Sequence, residues 1–449
     1  MEYSLFGTDG IRGLVGRHPL IPSSLWAMGE GIGSYLLAKT SHPVMVLGSD
    51  TRESCNMIRS SLYGGLWSKN VTIMDVGVAP TPAISFLVQA LNADMGIVIS
   101  ASHNPSPYNG IKFFNEKGEK FTETEKLHLE VCMKKAIKKK AHEPHINFES
   151  MPSSFYPGLS LYETFVVSLF PDLSGISVVL DCAHGALFDL AERCFRRCGA
   201  TVLRVLGASP DGHNINDGVG ALYPQSLAQA VCESHADLGF GFDGDGDRVM
   251  VVNAAGEVQD GDQILACLSM EDALVSGRGV VGTIMSNLGL EQFLSRRSIA
   301  FMRTDVGDQK IAEAMQACGW LLGGEPSGHI LMHSILPTGD GLIAALCVAH
   351  MVLKKSIGFP VFSPVPSVLK NIPLRVLDLL AWPNVKGMID RTQEQLQGSG
   401  RLLVRCSGTE PLLRLLVEGE CPDFIQHTAD TLEAYFMQVQ EHRCKNSVD

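Results

Sequence analysis

The chain has 449 residues, of which 45% are hydrophobic and 19% are charged, a balance that excludes a wholly disordered or fibrous protein. Its 36 lysines and arginines and 48 aspartates and glutamates leave a net charge of −12, which argues against nucleic-acid binding through bulk charge. We therefore expect no nucleic-acid partner. Anionic small molecules are compatible with this charge, because a local basic pocket can exist on an acidic protein.

Neither a secretory signal nor a membrane span is visible in the sequence. The first residues lack the basic and apolar regions of a signal peptide. The longest uncharged apolar stretch, residues 341–353, is shorter than the roughly 20 residues that cross a bilayer. We expect a cytoplasmic protein without membrane contact.

Short apolar runs alternate with segments of helical periodicity along the chain, which predicts βαβ units around parallel or mixed sheets. In chain order, the clearest predicted strands are 44–47, 71–76, 95–99, 176–180, 201–206 and 280–284. The clearest predicted helices are 21–38, 54–67, 187–197 and 288–294. Because the pattern recurs three times, we predict three similar α/β domains.

Changes in composition mark the predicted domain boundaries. A lysine-rich stretch at 134–140 gives way to prolines and polar residues, a small polar turn lies at 253–257, and prolines interrupt 358–367. The predicted domains are residues 1–150, 155–254, 255–364 and 368–449. The last is smaller, and we predict an α+β domain that runs strand–helix–strand–helix.

The strongest chemical signal is Asp243-Gly-Asp245-Gly-Asp247-Arg248, directly before an apolar strand. Three carboxylates at alternate positions, with glycines between them, can point at one place, where they repel one another unless a cation is present. Oxygen ligands favour Mg²⁺ or another hard divalent ion. An EF-hand is excluded because Arg248 and Ala254 stand where it needs glycine and glutamate. An aspartyl phosphatase is disfavoured because Asp247 occupies its usual threonine position.

A candidate phosphate carrier lies in Ser100-Ala-Ser102-His103-Asn-Pro, after a predicted strand. The Asn-Pro turn ends that strand and exposes the serine and the histidine at the sheet edge. An ordinary turn without a chemical role is the alternative interpretation. A metal held by three carboxylates has room for a phosphate oxygen. Lys112 and Arg248 supply cations that can offset the charge of the phosphate.

Two further loops are suited to a sugar phosphate. Glu325, Ser327 and His329 place a carboxylate, a hydroxyl and an imidazole on a glycine-rich turn, where they can bind sugar hydroxyls; a polar surface turn is the alternative. The segment 405–414 combines hydroxyls, backbone N–H groups and two arginines, as phosphate-binding loops do. Its candidate phosphate-binding residues are Arg405, Ser407, Gly408, Thr409 and Arg414.

Six motifs stand in the order found in the α-D-phosphohexomutase superfamily, which the chain resembles nearly end to end and most closely in its bacterial phosphoglucosamine branch. They are Phe6-Gly-Thr-Asp-Gly-Ile-Arg12-Gly, Ser100-Ala-Ser102-His-Asn-Pro, Asn109-Gly-Ile-Lys112-Phe-Phe, Asp243-Gly-Asp-Gly-Asp-Arg248, Gly324-Glu-Pro-Ser-Gly-His329 and Ser407-Gly-Thr-Glu-Pro.

The resemblance implies four domains arranged as a heart, three of them similar α/β domains with mixed sheets, with one loop of each lining a central cleft. It implies that Ser102 is a phosphoserine and that one Mg²⁺ per chain is held by Ser102, Asp243, Asp245 and Asp247. It also implies that Arg12 binds substrate. The remaining expected catalytic residues are Lys112, His329, Arg248 and His103, with Lys112 our first and His329 our second choice for moving a proton.

The implied reaction converts glucosamine 6-phosphate into glucosamine 1-phosphate through glucosamine 1,6-bisphosphate, which leads to UDP-N-acetylglucosamine and cell-wall precursors. A phosphomannomutase/phosphoglucomutase is the main alternative, and a catalytically silent sugar-phosphate sensor is a lesser one. The only expected partner is a small phosphosugar. The sequence leaves both a monomer and a homodimer open.

Overall fold

The computed structural model describes residues 4–7, 9–139, 156–376, 378–396, 398, 400–406 and 411–446. The chain forms two compact units: unit 1 comprises residues 1–283 and 299–361, and unit 2 comprises residues 284–298 and 362–449. None of the helices in the described ranges combines the length and the apolar character that a membrane crossing requires. The four predicted domain ranges stay a prediction.

The first sheet of unit 1 contains β1 (Ile11–Leu14), β2 (Val44–Ser49), β3 (Thr72–Val78), β4 (Met95–Ile99) and β5 (Tyr108–Phe114). Its strand order is β1-β5-β4-β2-β3. β2 is parallel to β3 and β4, whereas β5 is antiparallel to β4 and β1. The helices of this part are α1 (Pro22–Leu37), α2 (Ser54–Trp67), α3 (Thr81–Ala90) and α4 (Glu123–Lys138).

The second sheet of unit 1 contains β6 (Ser177–Asp181), β7 (Thr201–Leu206), β8 (Leu238–Phe242), β9 (Val249–Asn253) and β10 (Val258–Gln259). Its order is β10-β9-β8-β6-β7. β6 is parallel to β7 and β8, and β8 pairs antiparallel with β9. The helices are α5 (Leu159–Leu169), α6 (Leu190–Arg197) and α7 (Gln225–Ser234).

The third sheet of unit 1 contains β11 (Gly279–Thr283), β12 (Ala300–Thr304), β13 (Leu322–Gly324) and β14 (Ile330–Met332), in the order β12-β11-β13-β14. β11 is parallel to β12 and β13, and β13 pairs antiparallel with β14. The helices along this stretch are α8 (Gly261–Leu268), α9 (Leu288–Arg296), α10 (Asp308–Cys318) and α11 (Gly341–Lys355). Of these, α9 belongs to unit 2.

The three sheets share one topology. In each, a central strand lies between two parallel neighbours, and one of these neighbours turns back into an antiparallel strand. This confirms the predicted set of three similar α/β units with mixed sheets. The turn before the antiparallel strand holds Ser102 in the first sheet, Asp243 to Asp247 in the second and Glu325 to His329 in the third. The candidate functional loops therefore occupy equivalent places.

Unit 2 is a smaller α+β unit with β15 (Ser367–Pro373), α12 (Pro383–Leu396), β16 (Gly400–Cys406), β17 (Leu412–Gly419) and α13 (Pro422–Asn446). Its sheet is antiparallel, in the order β15-β17-β16. The predicted strand–helix–strand–helix order is wrong, because the segment 400–419 forms two strands rather than one. Apolar side chains of the sheet, including Leu413 and Val417, pack against Phe436 of α13.

The contact between α1 and α2 depends on small residues. A β-carbon added at Gly65 in α2 would lie 2.1 Å from the carbonyl oxygen of Trp26 and 2.6 Å from the backbone nitrogen of Glu30, both in α1. Backbone atoms of a packed helix cannot move aside for a methyl group as a flexible side chain can. The two helices can approach this closely only because position 65 has no side chain.

We expect Gly65→Ala to lower the free energy of unfolding by about 1–3 kcal/mol, because the added methyl group forces the two helices apart. Gly387→Ala in α12 is the control, since a β-carbon there meets no atom within 4 Å. The higher helix propensity of alanine should raise stability at that position by about 0.5–1 kcal/mol. Urea unfolding measures both changes, and an equal response of the two variants would contradict the close contact.

Candidate active site

Ser102 lies in the turn between β4 and β5 in a left-handed backbone conformation, with φ of 52°. Its N–H donates to Ser100 Oγ at 2.9 Å. Its hydroxyl donates to Asp243 Oδ2 at 2.7 Å and lies 3.3 Å from His103 Nδ1. The side chain is thereby aimed at the acidic loop.

The acidic loop between β8 and β9 packs directly on the Ser102 turn. A β-carbon at Gly244 would lie 2.6 Å from the carbonyl oxygen of Ser102, so only glycine permits this approach. The alternation of glycine and aspartate directs Asp243, Asp245 and Asp247 inward, and one ligand atom of each lies within 4.8 Å of the others. All three side chains are buried.

The three buried carboxylates fit a divalent cation. Burial, together with the charges of Asp247 and Asp245, raises the pKa of Asp243 well above its ordinary value. Within the described part of the chain, Asp245 Oδ1 and Asp247 Oδ1 are buried and accept no hydrogen bond, although a buried carboxylate oxygen normally has a partner. Oxygen atoms of this kind are the ligands that hard divalent ions prefer.

Lys112 on β5 contacts the same carboxylates. Its ammonium group donates to Asp245 Oδ2 at 2.7 Å and to Asp247 Oδ2 at 3.0 Å. Burial alone would lower the pKa of Lys112, but these carboxylates and that of Asp9 outweigh burial and raise it well above the ordinary value. Lys112 therefore carries its proton, and the lowered pKa that a general base needs is not found in this arrangement.

Alternating positive and negative side chains form a closed ring around this centre. Within it, Lys112 lies 3.2 Å from Asp9, Asp9 lies 2.7 Å from Lys120, and Lys120 pairs with Asp308. Going round, the members are Lys112, Asp9, Lys120, Asp308, His329 and Asp247. Each carboxylate thus has a cationic or protonatable neighbour on both sides, which offsets the cost of burying it.

His329 closes the ring between two carboxylates. Its Nδ1 lies 3.6 Å from Asp247 and its Nε2 lies 3.5 Å from Asp308. Burial lowers the pKa of the imidazole, but Asp247 and Asp308 outweigh burial and raise it above the ordinary value of 6.5. His103 differs, because burial and the charges of Arg248 and Arg12 lower its pKa to about 4, so it is neutral near pH 7.

The sugar-binding candidates lie on the turn between β13 and β14. Ser327 Oγ donates to Glu325 Oε2 at 3.4 Å, and the backbone N–H of Gly307 donates to Glu325 Oε1 at 3.0 Å. The turn is joined to the acidic loop, because the N–H of Val249 donates to the carbonyl of Gly328 at 3.0 Å. Glu325 and His329 are buried and Ser327 is exposed.

The arginine candidates occupy two places, one in each unit. In unit 1, Arg12 on β1 donates to Asp9 Oδ2 at 2.5 Å, and the backbone N–H of Arg248 donates to Asp243 Oδ1 at 3.2 Å. In unit 2, Arg405 on β16 and Arg414 on β17 are directly paired across the sheet. Two cationic side chains thus stand side by side on one face of the sheet, and guanidinium groups are suited to binding a phosphate. Ser407, Gly408 and Thr409 lie outside the described residues.

The site contains further residues whose roles have no signal in the sequence. Asp9 stands within the first of the six motifs, but neither Asp9 nor Asp308 has a local pattern that indicates a role in the ring. Lys120 follows the β5 strand and becomes visible only through its contacts. Thr81, at the start of α3, hydrogen-bonds Asp245 through its side chain. Arg52 lies in the short segment between β2 and α2, at the carboxyl edge of the sheet, where functional residues are common.

Four family models match the chain in order. They describe the phosphoglucomutase/phosphomannomutase α/β/α domains I, II and III and the C-terminal domain, at residues 3–140, 166–256, 260–360 and 369–433. A curated relative from Paracoccus denitrificans named phosphoglucosamine mutase is 40% identical over 446 residues, which cover 97% of this chain and 99% of the relative.

Two solved structures have a similar fold. A phosphoglucomutase/phosphomannomutase family protein from Burkholderia thailandensis matches with a TM-score of 0.79 and 22% identity, covering 97% of both chains. The N-acetylphosphoglucosamine mutase of Aspergillus fumigatus, in complex with GlcNAc-6P and magnesium, matches with a TM-score of 0.66 and 15% identity, covering 96% of this chain and 95% of the other.

We expect Asp245→Asn to weaken Mg²⁺ binding by at least about 100-fold. Even the loss of a residue that only hydrogen-bonds a metal ligand lowers metal affinity by about 10–100-fold. Asp217→Asn, an exposed position, makes the same change in net charge and should leave the affinity unaltered. Titration calorimetry of the metal-free proteins measures both. Equal Mg²⁺ affinity in wild type and Asp245→Asn would exclude this aspartate as a ligand.

Proposed function

The chain belongs to the phosphoglucomutase/phosphomannomutase family, and from that premise we propose that it is a phosphoglucosamine mutase. In this proposal it interconverts glucosamine 6-phosphate and glucosamine 1-phosphate through glucosamine 1,6-bisphosphate and so feeds the synthesis of UDP-N-acetylglucosamine and peptidoglycan precursors. The observation that carries the proposal is the hydroxyl of Ser102, 2.7 Å from Asp243 at a cluster of three buried carboxylates.

Ser102 is the proposed phosphate carrier. A hydroxyl of the sugar phosphate attacks the phosphorus of phosphoserine 102, the bond from phosphorus to Oγ breaks, and the serine oxygen takes up a proton. The resulting 1,6-bisphosphate turns round and returns its other phosphoryl group to Ser102. Such transfers depend mainly on in-line positioning and on neutralisation of charge. The fixed direction of the Ser102 side chain supports this role.

The proposed cofactor is one Mg²⁺ per chain, held by Asp243, Asp245, Asp247 and an oxygen of the Ser102 phosphate. When bound, Mg²⁺ withdraws charge from the phosphoryl oxygens. The buried carboxylate oxygens without a hydrogen bond support this ligand set. Arg248 and Lys112 add positive charge beside the same phosphate, and neutral His103 can accept a hydrogen bond near Ser102 Oγ.

For proton movement we favour His329 over Lys112, which reverses the order of preference given by the sequence. Lys112 carries its proton in this arrangement, and the charges of Asp247 and Asp308 outweigh burial and raise the pKa of His329 above its ordinary value. An imidazole ordinarily loses its proton near pH 6.5 and a lysine only above pH 10. A small change in the surrounding charge therefore frees His329 to accept the hydroxyl proton, whereas Lys112 stays cationic and serves as a fixed positive charge.

Substrate binding is assigned to three places. Glu325 and Ser327 are proposed to bind sugar hydroxyls, since they form a rigid polar turn. Arg12 is proposed to bind substrate beside Lys112. Arg405 and Arg414, with Ser407, Gly408 and Thr409, are proposed to bind a phosphate group of the substrate. The cross-strand pairing of the two arginines supports this last assignment.

The preference for an amino sugar is the more specific part of the proposal. The name of the Paracoccus relative supports it, and Glu325 offers an anion that can attract a 2-ammonium group. A phosphomannomutase/phosphoglucomutase activity is the second candidate, supported by the names of the matching family models. Cytoplasmic location, the absence of a nucleic-acid partner and the monomer or homodimer state stay predictions.

Ser102→Ala should abolish mutase turnover, because the variant has no oxygen to carry the phosphoryl group. Ser106→Ala, on the same turn, is the matched control and should keep kcat near the wild-type value. A coupled assay for glucosamine 1-phosphate measures both. Turnover that survived in Ser102→Ala at the level of Ser106→Ala would remove Ser102 from the mechanism.

Arg414→Ala should raise KM for glucosamine 6-phosphate and glucosamine 1-phosphate by a similar factor with a smaller change in kcat. The reason is that a phosphate contact made equally in the ground and transition states contributes uniform binding. Arg391→Ala, on an exposed part of α12, is the control. Steady-state kinetics in both directions distinguish the variants, and unchanged constants in Arg414→Ala would place phosphate binding elsewhere.

We expect kcat/KM for glucosamine 6-phosphate to exceed that for glucose or mannose 6-phosphate by roughly 10–200-fold. Discrimination at a single substituent without a dedicated rejecting group is worth about 1–3 kcal/mol. Glu325→Gln should lower the ratio of the kcat/KM values if the carboxylate attracts the ammonium group. A wild-type ratio of one or less would favour the phosphomannomutase/phosphoglucomutase alternative.

A further inference from the structure

Arg52 is a fully buried arginine whose side chain the proposed chemistry does not use. It lies between β2 and α2, and its side chain has no exposed surface. A guanidinium group has five N–H donors in a rigid plane and keeps its charge inside a protein. Burying such a group is costly unless its charge and its donors are matched, so its partners indicate what it does.

The partners of Arg52 are concentrated on the Ser102 turn. Nη2 donates to the carbonyl oxygens of Ser102 at 3.0 Å and Asn104 at 2.7 Å. Nη1 donates to the carbonyl oxygens of Pro105 at 2.7 Å and Tyr108 at 3.0 Å. One side chain thus binds four carbonyls, three in the segment between β4 and β5 and one at the first residue of β5, and its planar fork fixes their relative positions.

The counterion of Arg52 also acts on this turn. Asp50 Oδ2 accepts from Arg52 Nε at 2.9 Å and from Ser100 Oγ at 2.6 Å. Ser100 Oγ in turn accepts the N–H of Ser102. Both the N–H and the carbonyl of Ser102 are therefore tied, directly or through Ser100, to the buried Asp50–Arg52 pair.

A second anchor reaches the same carbonyl from the other side. Asn216 Nδ2 donates to the carbonyl oxygens of Ser102 at 2.9 Å and Asn104 at 3.2 Å. These bonds hold Ser102 in a left-handed conformation, which costs a residue with a side chain roughly 1–2 kcal/mol. The surroundings therefore impose this backbone, and with it the direction of Oγ toward Asp243.

We propose that Arg52 is a positioning residue for phosphoryl transfer, which holds the Ser102 backbone so that Oγ keeps one place while its phosphate is given up and regained. The proposal rests on the proposed function of Ser102 as the phosphate carrier. In each catalytic cycle the Ser102 side chain loses the negative charge of its phosphate and then regains it. Without the guanidinium anchor, the turn shifts when the phosphate is lost or regained, and the in-line geometry of phosphoryl transfer is lost.

Three variants test the proposal. Arg52→Met keeps the length and the apolar stem but removes every donor, and Arg52→Lys keeps the charge but not the fork. Arg59→Met is the matched control: Arg59, in α2, donates to Ser49 Oγ at 2.7 Å and pairs with Asp75 at 3.2 Å, and none of its described partners lies on the Ser102 turn. For each variant we would measure kcat, KM, the melting temperature and the single-turnover rate of phosphoryl transfer from glucosamine 1,6-bisphosphate to the dephosphorylated enzyme.

We expect kcat and the single-turnover rate of Arg52→Met to fall on the order of 100-fold, the loss that a displacement of about 1 Å at a reacting centre can cause. KM should stay near the wild-type value, and Arg52→Lys should recover part of the rate. Arg59→Met should lower the melting temperature and leave both rates near those of the wild type. Should Arg52→Met not fold, the same split between kcat and KM in Arg52→Lys decides the question.

The proposal is overturned if a folded Arg52→Met, or Arg52→Lys in its place, transfers phosphate at the wild-type rate, or if Arg59→Met loses as much rate as Arg52→Met. Phosphopeptide mapping of the wild type separates this failure from failure of the proposed function. Phosphate on Ser102 with unaffected Arg52 variants refutes only the positioning role. A phosphate-free Ser102 in an active enzyme refutes the function as well.

Discussion

The burial of negative charge beside Ser102 is the constraint on which the rest of the structure depends. Asp243, Asp245 and Asp247 come together without water-exposed surface to screen them, and Asp9 and Asp308 lie just beyond. Buried carboxylates need compensating cations or must take up protons. Lys112, Lys120 and His329 supply part of that compensation through the ring of ion pairs, and a divalent cation is the simplest source of the remainder.

The fold concentrates these groups by using one topological position three times. In each mixed sheet of unit 1, the functional loop is the turn at which a parallel strand passes into its antiparallel neighbour. Such a turn presents backbone and side chains at the edge of a rigid sheet. Glycine then allows these turns to approach their neighbours closely, as Gly244 does against the Ser102 turn and Gly328 does against Val249 at the start of β9. The site is therefore built from loops whose positions are set by strands.

The features that the sequence predicts are those set by residues close together in the chain. The three α/β units follow from apolar runs and helical periodicity, and the grouping of Asp243, Asp245 and Asp247 into one buried cluster follows from their spacing. The division into β16 and β17 is not visible in the sequence because two short strands have the same apolar content as one long strand. The roles of Arg52, Lys120 and Asp308 are not visible in the sequence because each has a decisive partner 50 or more residues away in the chain: Ser102 for Arg52, Asp9 for Lys120, and Lys120 for Asp308. The high pKa of Lys112 likewise depends on three carboxylates that only the fold brings together.

The proposed mechanism depends on Ser102 as the carrier of the transferred phosphoryl group. It is tested most directly by labelling the enzyme with radioactive phosphate from glucosamine 1,6-bisphosphate, mapping the label by peptide sequencing, and then adding unlabelled glucosamine 6-phosphate. We expect one labelled residue, Ser102, from which the label passes to the sugar in the presence of Mg²⁺. Label on Ser100 or another residue, or label on Ser102 that stays through the chase, would contradict it.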